Sequence, residues 1–173
     1  RNGSSWMATK RSEDEAVLEA GRQDFAAYMF LAHTTDMPDV YAGRARVAEH
    51  HWKMIDAILD DSLGHTLILM PRGAGKTAMM QYFIEWSIGR ASLSGDKHWA
   101  KRLRYLYICH KEEKAADVSL AVMQTVEANA LYRALFPQVK PSKTEWSKTK
   151  WRLAGNEGED SHHGEGFRRA NRR

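Results

Sequence analysis

A short glycine-rich segment restricts what this chain can fold into more than any other feature of its sequence. It reads PRGAGKT over residues 71–77. Small residues at 73–75 let successive backbone amides turn inward around phosphate oxygens, and the amino end of a following helix adds partial positive charge. Lys76 is placed to reach the β- and γ-phosphates, and the Thr77 hydroxyl is placed to ligate Mg²⁺. The segment therefore predicts a site for ATP and Mg²⁺.

The patterns on either side of this segment are those that a phosphate-binding loop requires. Residues 65–70 form a short apolar run closed by Pro71, which favours a buried strand. Residues 76–88 have apolar side chains at helical spacing, and Gly89 marks the predicted end of that helix. Met70 stands where the standard motif has its first glycine, but the strand and helix context still favours a phosphate loop.

The alternation of strand and helix patterns continues after the loop. Residues 103–109 are typical of a second buried strand, and residues 145–153 are a candidate third strand. Between them a helix is predicted from about Glu112 to just before Pro137, with an apolar stripe at Ala115, Val118, Val122 and Val126. Such alternation favours a parallel sheet with right-handed crossovers. The predicted fold class is α/β, a P-loop NTPase with an incomplete parallel sheet flanked by helices and preceded by N-terminal helices.

Two helices are predicted ahead of the loop. A capping-box pattern at Ser12 and Glu15 begins a helix that runs to about Leu31, and a second helix spans residues 46–60. The tail from residue 140 has nine basic and five acidic residues, which is typical of a solvated terminus or of a segment that contacts nucleic acid. The predicted units are an N-terminal helical segment and linker (1–45), a partial P-loop ATPase domain (46–155) and a basic, disordered tail (156–173).

Composition excludes several other classes of protein. A single cysteine, Cys109, cannot form an internal disulfide, and apolar runs such as 66–70 are far shorter than the ~20 residues that span a bilayer. The first residues lack the apolar core of a secretory signal. The adjacent pairs His50-His51 and His162-His163 lack the i, i+4 spacing of a helical metal site. A cytoplasmic protein is therefore expected, with no metal held by histidine.

Residues 71–77 also resemble the deviant phosphate loop, Pro-Arg-x-x-Gly-Lys-[Ser/Thr], of the large terminase subunit, the DNA-packaging ATPase of tailed bacteriophages. The resemblance covers roughly residues 28–153 of this chain and lies within the N-terminal ATPase domain of that family. Four further features resemble the family: the W-x-x-G pattern at Trp86 and Gly89, a second strand at 105–108, an E-x-N-x-L…F-P pattern over 127–137, and His50, His51 and Trp52 at the position of adenine-side contacts.

The resemblance implies a function and a set of partners. The full-length protein would couple ATP hydrolysis to translocation of double-stranded DNA during virion assembly. It would act as a homo-oligomeric ring with the phage portal and the small terminase subunit, in the host-cell cytoplasm.

Arg72 and Lys76 are the predicted catalytic residues. Arg72 could be only an exposed loop arginine, but its position inside the loop favours a role in sensing the γ-phosphate or in stabilising charge in the transition state. Thr77 is the predicted metal ligand. The predicted nucleotide-binding residues are Pro71, Arg72, Gly73, Ala74, Gly75, Lys76 and Thr77.

The carboxylates that hydrolysis requires are not evident in the sequence. No apolar run followed directly by Asp-Glu occurs after Lys76, and Glu112 and Glu113 follow the wrong strand and are typical of a first helical turn. The chain alone is therefore expected to bind ATP without hydrolysing it, as an N-terminal fragment or truncated product of a terminase. Two alternatives remain: a non-hydrolysing nucleotide-binding remnant, and a helicase-like or recombination P-loop ATPase.

Overall fold

Helices form most of the secondary structure. A computed structural model describes residues 3–36, 48–60, 62, 65–109, 111–147, 150–155 and 162–166. The helices are α1 (Gly3–Gln23), α2 (Phe25–Asp36), α3 (Glu49–Leu59), α4 (Lys76–Ser92), α5 (Trp99–Arg102), α6 (Glu112–Ala128) and α7 (Ala130–Leu135). The strands are β1 (Tyr105–Cys109), β2 (Pro141–Ser147), β3 (Lys150–Leu153) and β4 (His162–Gly166). The chain divides into two compact units, Arg1–Met79 and Met80–Arg173.

The sheet shows that the predicted fold class is wrong. Its strand order is β1-β4-β3-β2, and only β1 and β4 pair in parallel. The β4–β3 and β3–β2 pairs are antiparallel. The chain is largely helical and its sheet is mixed and mainly antiparallel, whereas a P-loop NTPase fold requires a parallel sheet flanked by helices.

The segment before the glycine-rich loop differs most from its prediction. Residues 65–70 are not a strand, and no strand of the described residues pairs with them. The side chains of Leu67 and Leu69 are each 82% exposed, so the prediction of a buried strand is wrong. An apolar run shows only that a segment would suit a sheet, whereas a strand also needs a neighbour to pair with its backbone.

In the first unit, the break between α1 and α2 replaces the single helix predicted from Ser12. Ser12 lies inside α1, so its capping-box role is wrong. Asp24 caps α2 instead, because its Oδ1 accepts a hydrogen bond from the Ala27 amide at 2.8 Å. α2 buries Phe25 and Tyr28, and it packs against α1 and α3. Residues 37–47, which hold the predicted linker, lie outside the described residues.

In the second unit, α6 covers one face of the sheet through contacts with β1 and β4. The apolar stripe predicted for this helix is confirmed, since all four of its members are buried: Ala115, Val118, Val122 and Val126. Trp151 of β3 is fully buried, and its indole Nε1 donates a hydrogen bond to Ser119 Oγ at 3.1 Å. In contrast, the apolar side chains of Leu106 and Ile108 on β1 are more than half exposed.

The hairpin and the last strand were not predicted from the sequence. β2 and β3 form an antiparallel pair where a single third strand was expected. β4 lies in the tail that was predicted to be disordered, and it pairs with β1 and β3. The remaining tail residues, 156–161 and 167–173, lie outside the described part of the chain. Among the helices that are described, none is long and apolar enough to cross a membrane.

Asn129 divides the long helix that was predicted to run from Glu112 towards Pro137. It ends α6 and begins α7, and its Oδ1 accepts a hydrogen bond from the Tyr132 amide at 2.9 Å. Asparagine is common at the N-cap position of a helix because its side-chain oxygen accepts from an amide that has no helical carbonyl as partner. The neighbouring Glu127 accepts a hydrogen bond from Trp146 Nε1 at 3.1 Å. Both residues of the E-x-N pattern thus have structural roles.

Gly89 does not end α4, which continues to Ser92. A Cβ built on Gly89 would overlap the ring of Phe136, and that ring is fully buried. Gly89 therefore allows close packing inside the helix, because the Phe136 ring occupies the space that a side chain at position 89 would fill.

Replacing Gly89 by alanine should destabilise the protein although alanine is the better helix former. We expect the free energy of unfolding in urea to fall by about 1–3 kcal/mol, because overpacking outweighs the ~1 kcal/mol of helix propensity that alanine gains. The loss from Gly89→Ala should shrink in a Phe136→Leu background, which makes room for the methyl group. An unchanged or higher stability of Gly89→Ala would contradict this packing.

Tyr132 should make the protein sensitive to alkaline pH. Burial, with the negative charge of Glu85, raises the pKa of the Tyr132 phenol well above its usual value, and the hydroxyl donates to the Glu85 carbonyl oxygen at 2.9 Å. The neutral phenol is favoured in the folded state, so its stabilising contribution is complete below the unfolded pKa of about 10 and is lost as pH rises beyond it. Tyr132→Phe should lower stability by about 1 kcal/mol at neutral pH. Urea midpoints at pH values on both sides of about 10 should then fall less in Tyr132→Phe than in the parent, and parallel losses would reject this role.

Candidate phosphate-binding site

The loop at residues 71–77 turns at two glycines. Gly73 has a φ of 80° and Gly75 a φ of 77°, a region of backbone space that glycine adopts without the cost of a Cβ clash. Among the described residues, no other residue type has a positive φ. The loop therefore requires glycine at positions 73 and 75 in particular.

Met70, which replaces the first glycine of the standard motif, occupies a position that does not require glycine. Its φ is not positive, and it contributes to the loop through its backbone carbonyl, which accepts a hydrogen bond from Lys76 Nζ at 2.6 Å. Because every residue carries this carbonyl, a methionine side chain does not remove the contact. The departure from the standard motif is thus compatible with the geometry of this loop.

Lys76 folds back onto the loop that precedes it. Its ammonium donates to the carbonyl oxygens of Met70 and Pro71, at 2.6 and 2.7 Å. An ammonium has three hydrogen-bond donors, so two bonds to carbonyls still leave capacity for another acceptor. The positive charge is in this way held beside the loop backbone and the start of α4.

The first turn of α4 supplies further donors. The first backbone hydrogen bond of the helix joins the Met79 amide to the Gly75 carbonyl at 2.9 Å. The amides of residues 76–78 precede that bond and have no helical acceptor, so they carry the partial positive charge of a helix start. The side chains of Arg72 and Thr77 are exposed.

His51 also contacts the loop. It lies on α3, half-buried and one turn before the buried Ile55, and its Nε2 is 3.2 Å from the carbonyl oxygen of Ala74. A Cβ on Gly75 would lie 3.0 Å from the same Nε2. From the sequence, His51 was expected on the adenine side with His50 and Trp52, and its contact with the loop backbone was missed.

The neighbours of His51 remain outside this contact. The ring of His50 packs edge-on against that of His51 with their centroids 4.1 Å apart, and Trp52 is 47% exposed. The sequence did contain one signal for the contact of His51 with the loop, namely its position in the helical register of α3. A residue four positions before a buried isoleucine lies on the same, inward face of the helix.

The predicted loop residues are thus brought together, whereas carboxylates are not part of the loop. Glu112 and Glu113 are exposed in the first turn of α6, where the helix dipole favours acidic side chains. The described part of the chain contains no cluster of three or more His, Cys, Asp or Glu side chains suited to a metal ion. The side chain of Thr77, the predicted metal ligand, is exposed in the first turn of α4.

The chain was compared with protein-family models, with curated proteins and with solved structures, and none of them matches it. The resemblance to the large terminase subunit consequently stays a prediction. What supports a function is the geometry of residues 70–77 and of the helix that begins among them.

Proposed function

We propose that residues 71–77 bind the phosphates of ATP together with Mg²⁺. The observation that carries the proposal is the position of Lys76, whose ammonium is held by the carbonyls of Met70 and Pro71 at the first residue of α4. A fixed cation beside free helix-start amides is suited to the charge and the oxygen atoms of a polyphosphate.

Each part of the loop has a separate task in this proposal. The amides of residues 76–78 donate to phosphate oxygens, and Lys76 contributes a charge-assisted hydrogen bond. Arg72 adds a second positive charge, which in this proposal acts on the γ-phosphate. Mg²⁺ usually keeps several waters and binds the substrate phosphates, and in this proposal the Thr77 hydroxyl is its ligand from the loop.

On a finer level, we propose that the chain is the ATP-binding part of a DNA-packaging motor related to the large terminase subunit. Its partners would be double-stranded DNA, the portal and the small terminase subunit, within an oligomeric ring in the host-cell cytoplasm. The support is the sequence of residues 71–77. Gly89 and Asn129 add less, because packing and helix capping already explain these residues.

Replacing Lys76 by alanine should weaken Mg-ATP binding. The lost ammonium–phosphate contact is worth about 1.5–3 kcal/mol, which corresponds to a rise in Kd of roughly 10- to 150-fold. A fluorescent ATP analogue titrated into the purified chain measures this change, and inorganic tripolyphosphate should compete because the phosphates carry the recognition.

The control for this experiment is Lys97→Ala, which removes the same charge from an exposed position outside the loop. Its Kd should equal that of the parent. Thermal melts of both variants separate lost binding from lost folding, since Lys76 also binds two carbonyls of its own loop. Equal affinities of the parent and Lys76→Ala would show that the loop does not bind phosphate.

The bound ATP should not be hydrolysed by this chain. P-loop ATPases hold Mg²⁺ with an Asp at the end of a buried strand, and in the large terminase subunit an adjacent Glu polarises the water; the sequence has no apolar run followed by Asp-Glu after Lys76. A steady-state phosphate-release assay should therefore give the same rate for the parent and Lys76→Ala. Turnover that depends on Lys76 would reject this expectation and would direct mutagenesis to Glu112 and Glu113.

A further inference from the structure

We propose that His51 is a positioning residue of the phosphate loop. In this role its imidazole fixes the peptide between Ala74 and Gly75, and so sets the direction of the Gly75 amide, which directly precedes the amides of residues 76–78 that meet the phosphates. The proposal rests on the proposed function of residues 71–77. It concerns the regulation of loop geometry and not a direct contact of histidine with ATP.

The contact defines which atom of the histidine is the donor. A carbonyl oxygen only accepts hydrogen bonds, so Nε2 of His51 carries the proton that it donates to Ala74 O at 3.2 Å. The described peptide bonds include no cis bond, and in a trans peptide the carbonyl and the amide point in opposite directions. Holding the Ala74 carbonyl towards His51 therefore directs the Gly75 amide away from α3.

Helix α3 is attached to the same stretch of chain at a second point. Thr66, which lies before the loop, donates from its Oγ1 to the carbonyl oxygen of Ala57 at 3.3 Å. The helix is anchored by Met54 and Ile55, both of which are buried. Helix α3 is thus hydrogen-bonded to the segment before the loop through Thr66 and to the loop itself through Ala74.

The two loop glycines provide a way to isolate the histidine contact. Both have positive φ values of nearly equal size, so an alanine at either position carries backbone strain. A Cβ on Gly75 would lie 3.0 Å from His51 Nε2, whereas a Cβ on Gly73 would have no heavy atom within 4 Å. Only the substitution at Gly75 should therefore depend on what occupies position 51.

The first test measures thermal unfolding without nucleotide. The proteins are the parent, His51→Ala, Gly73→Ala, Gly75→Ala and the two double variants that contain His51→Ala. Loss of the histidine contact should lower Tm by about 2–4 °C. His51→Ala should reduce the Tm loss caused by Gly75→Ala and leave that caused by Gly73→Ala unchanged. Equal behaviour of the two glycines would overturn the proposed contact.

The second test measures the affinity for Mg-ATP. His51→Ala should raise Kd by about three- to tenfold, as expected for one lost hydrogen bond, and His51→Gln, whose amide can still donate, should recover most of the affinity. His98→Ala removes a histidine from an exposed position in the second unit and should bind like the parent. A loss in His51→Ala that His51→Gln does not restore, or an equal loss in His98→Ala, would reject the positioning role.

The two tests separate this proposal from the one on which it rests. If the parent and Lys76→Ala bind Mg-ATP equally, the proposed function fails, and the thermal cycle still shows whether His51 holds the loop. If Lys76 supports binding but His51→Ala binds ATP as the parent does, the phosphate site stands and the positioning role of His51 is rejected.

Discussion

The pair of hydrogen bonds from the Lys76 ammonium to the carbonyls of Met70 and Pro71 is the constraint on which the site depends. These bonds tie the first residue of a 17-residue helix to the chain that enters the loop. The intervening residues must then reverse direction within a few positions, which requires positive φ at Gly73 and Gly75. The direction of the helix-start amides follows from this closure.

The extent to which the sequence predicts the fold depends on whether a signal is local. The helical pattern after Lys76 and the stripe of α6 were predicted correctly, because periodicity within one segment reports its buried face. The pairing of β4 with β1 was not predicted, because contacts between segments far apart in the chain determine which strands pair and in which direction. Residues 65–70 show the same limit, as their composition suits a strand but contains no information about a partner.

The candidate site divides in the same way. The loop residues were predicted together because glycine, lysine and threonine at fixed spacing have separate chemical reasons to occur there. His51 was associated with the wrong partner, since only the folded chain brings α3 to the Ala74 carbonyl. Gly75 had one evident reason to be glycine, its backbone conformation, and the histidine ring adds a second. A methionine in place of glycine at position 70 proved compatible because its carbonyl, not its side chain, is used.

The position of β1 has a consequence for the behaviour of the protein in solution. Within the described sheet this strand is paired on one side only, and Leu106 and Ile108 are exposed on its outer face. An open strand edge with bare leucine and isoleucine side chains is a template on which another chain can pair. Self-association would then rise with protein concentration and compete with the monomer. The open edge belongs to the second unit, so self-association through it would involve a part of the sequence separate from the loop at residues 71–77, which lies in the first unit.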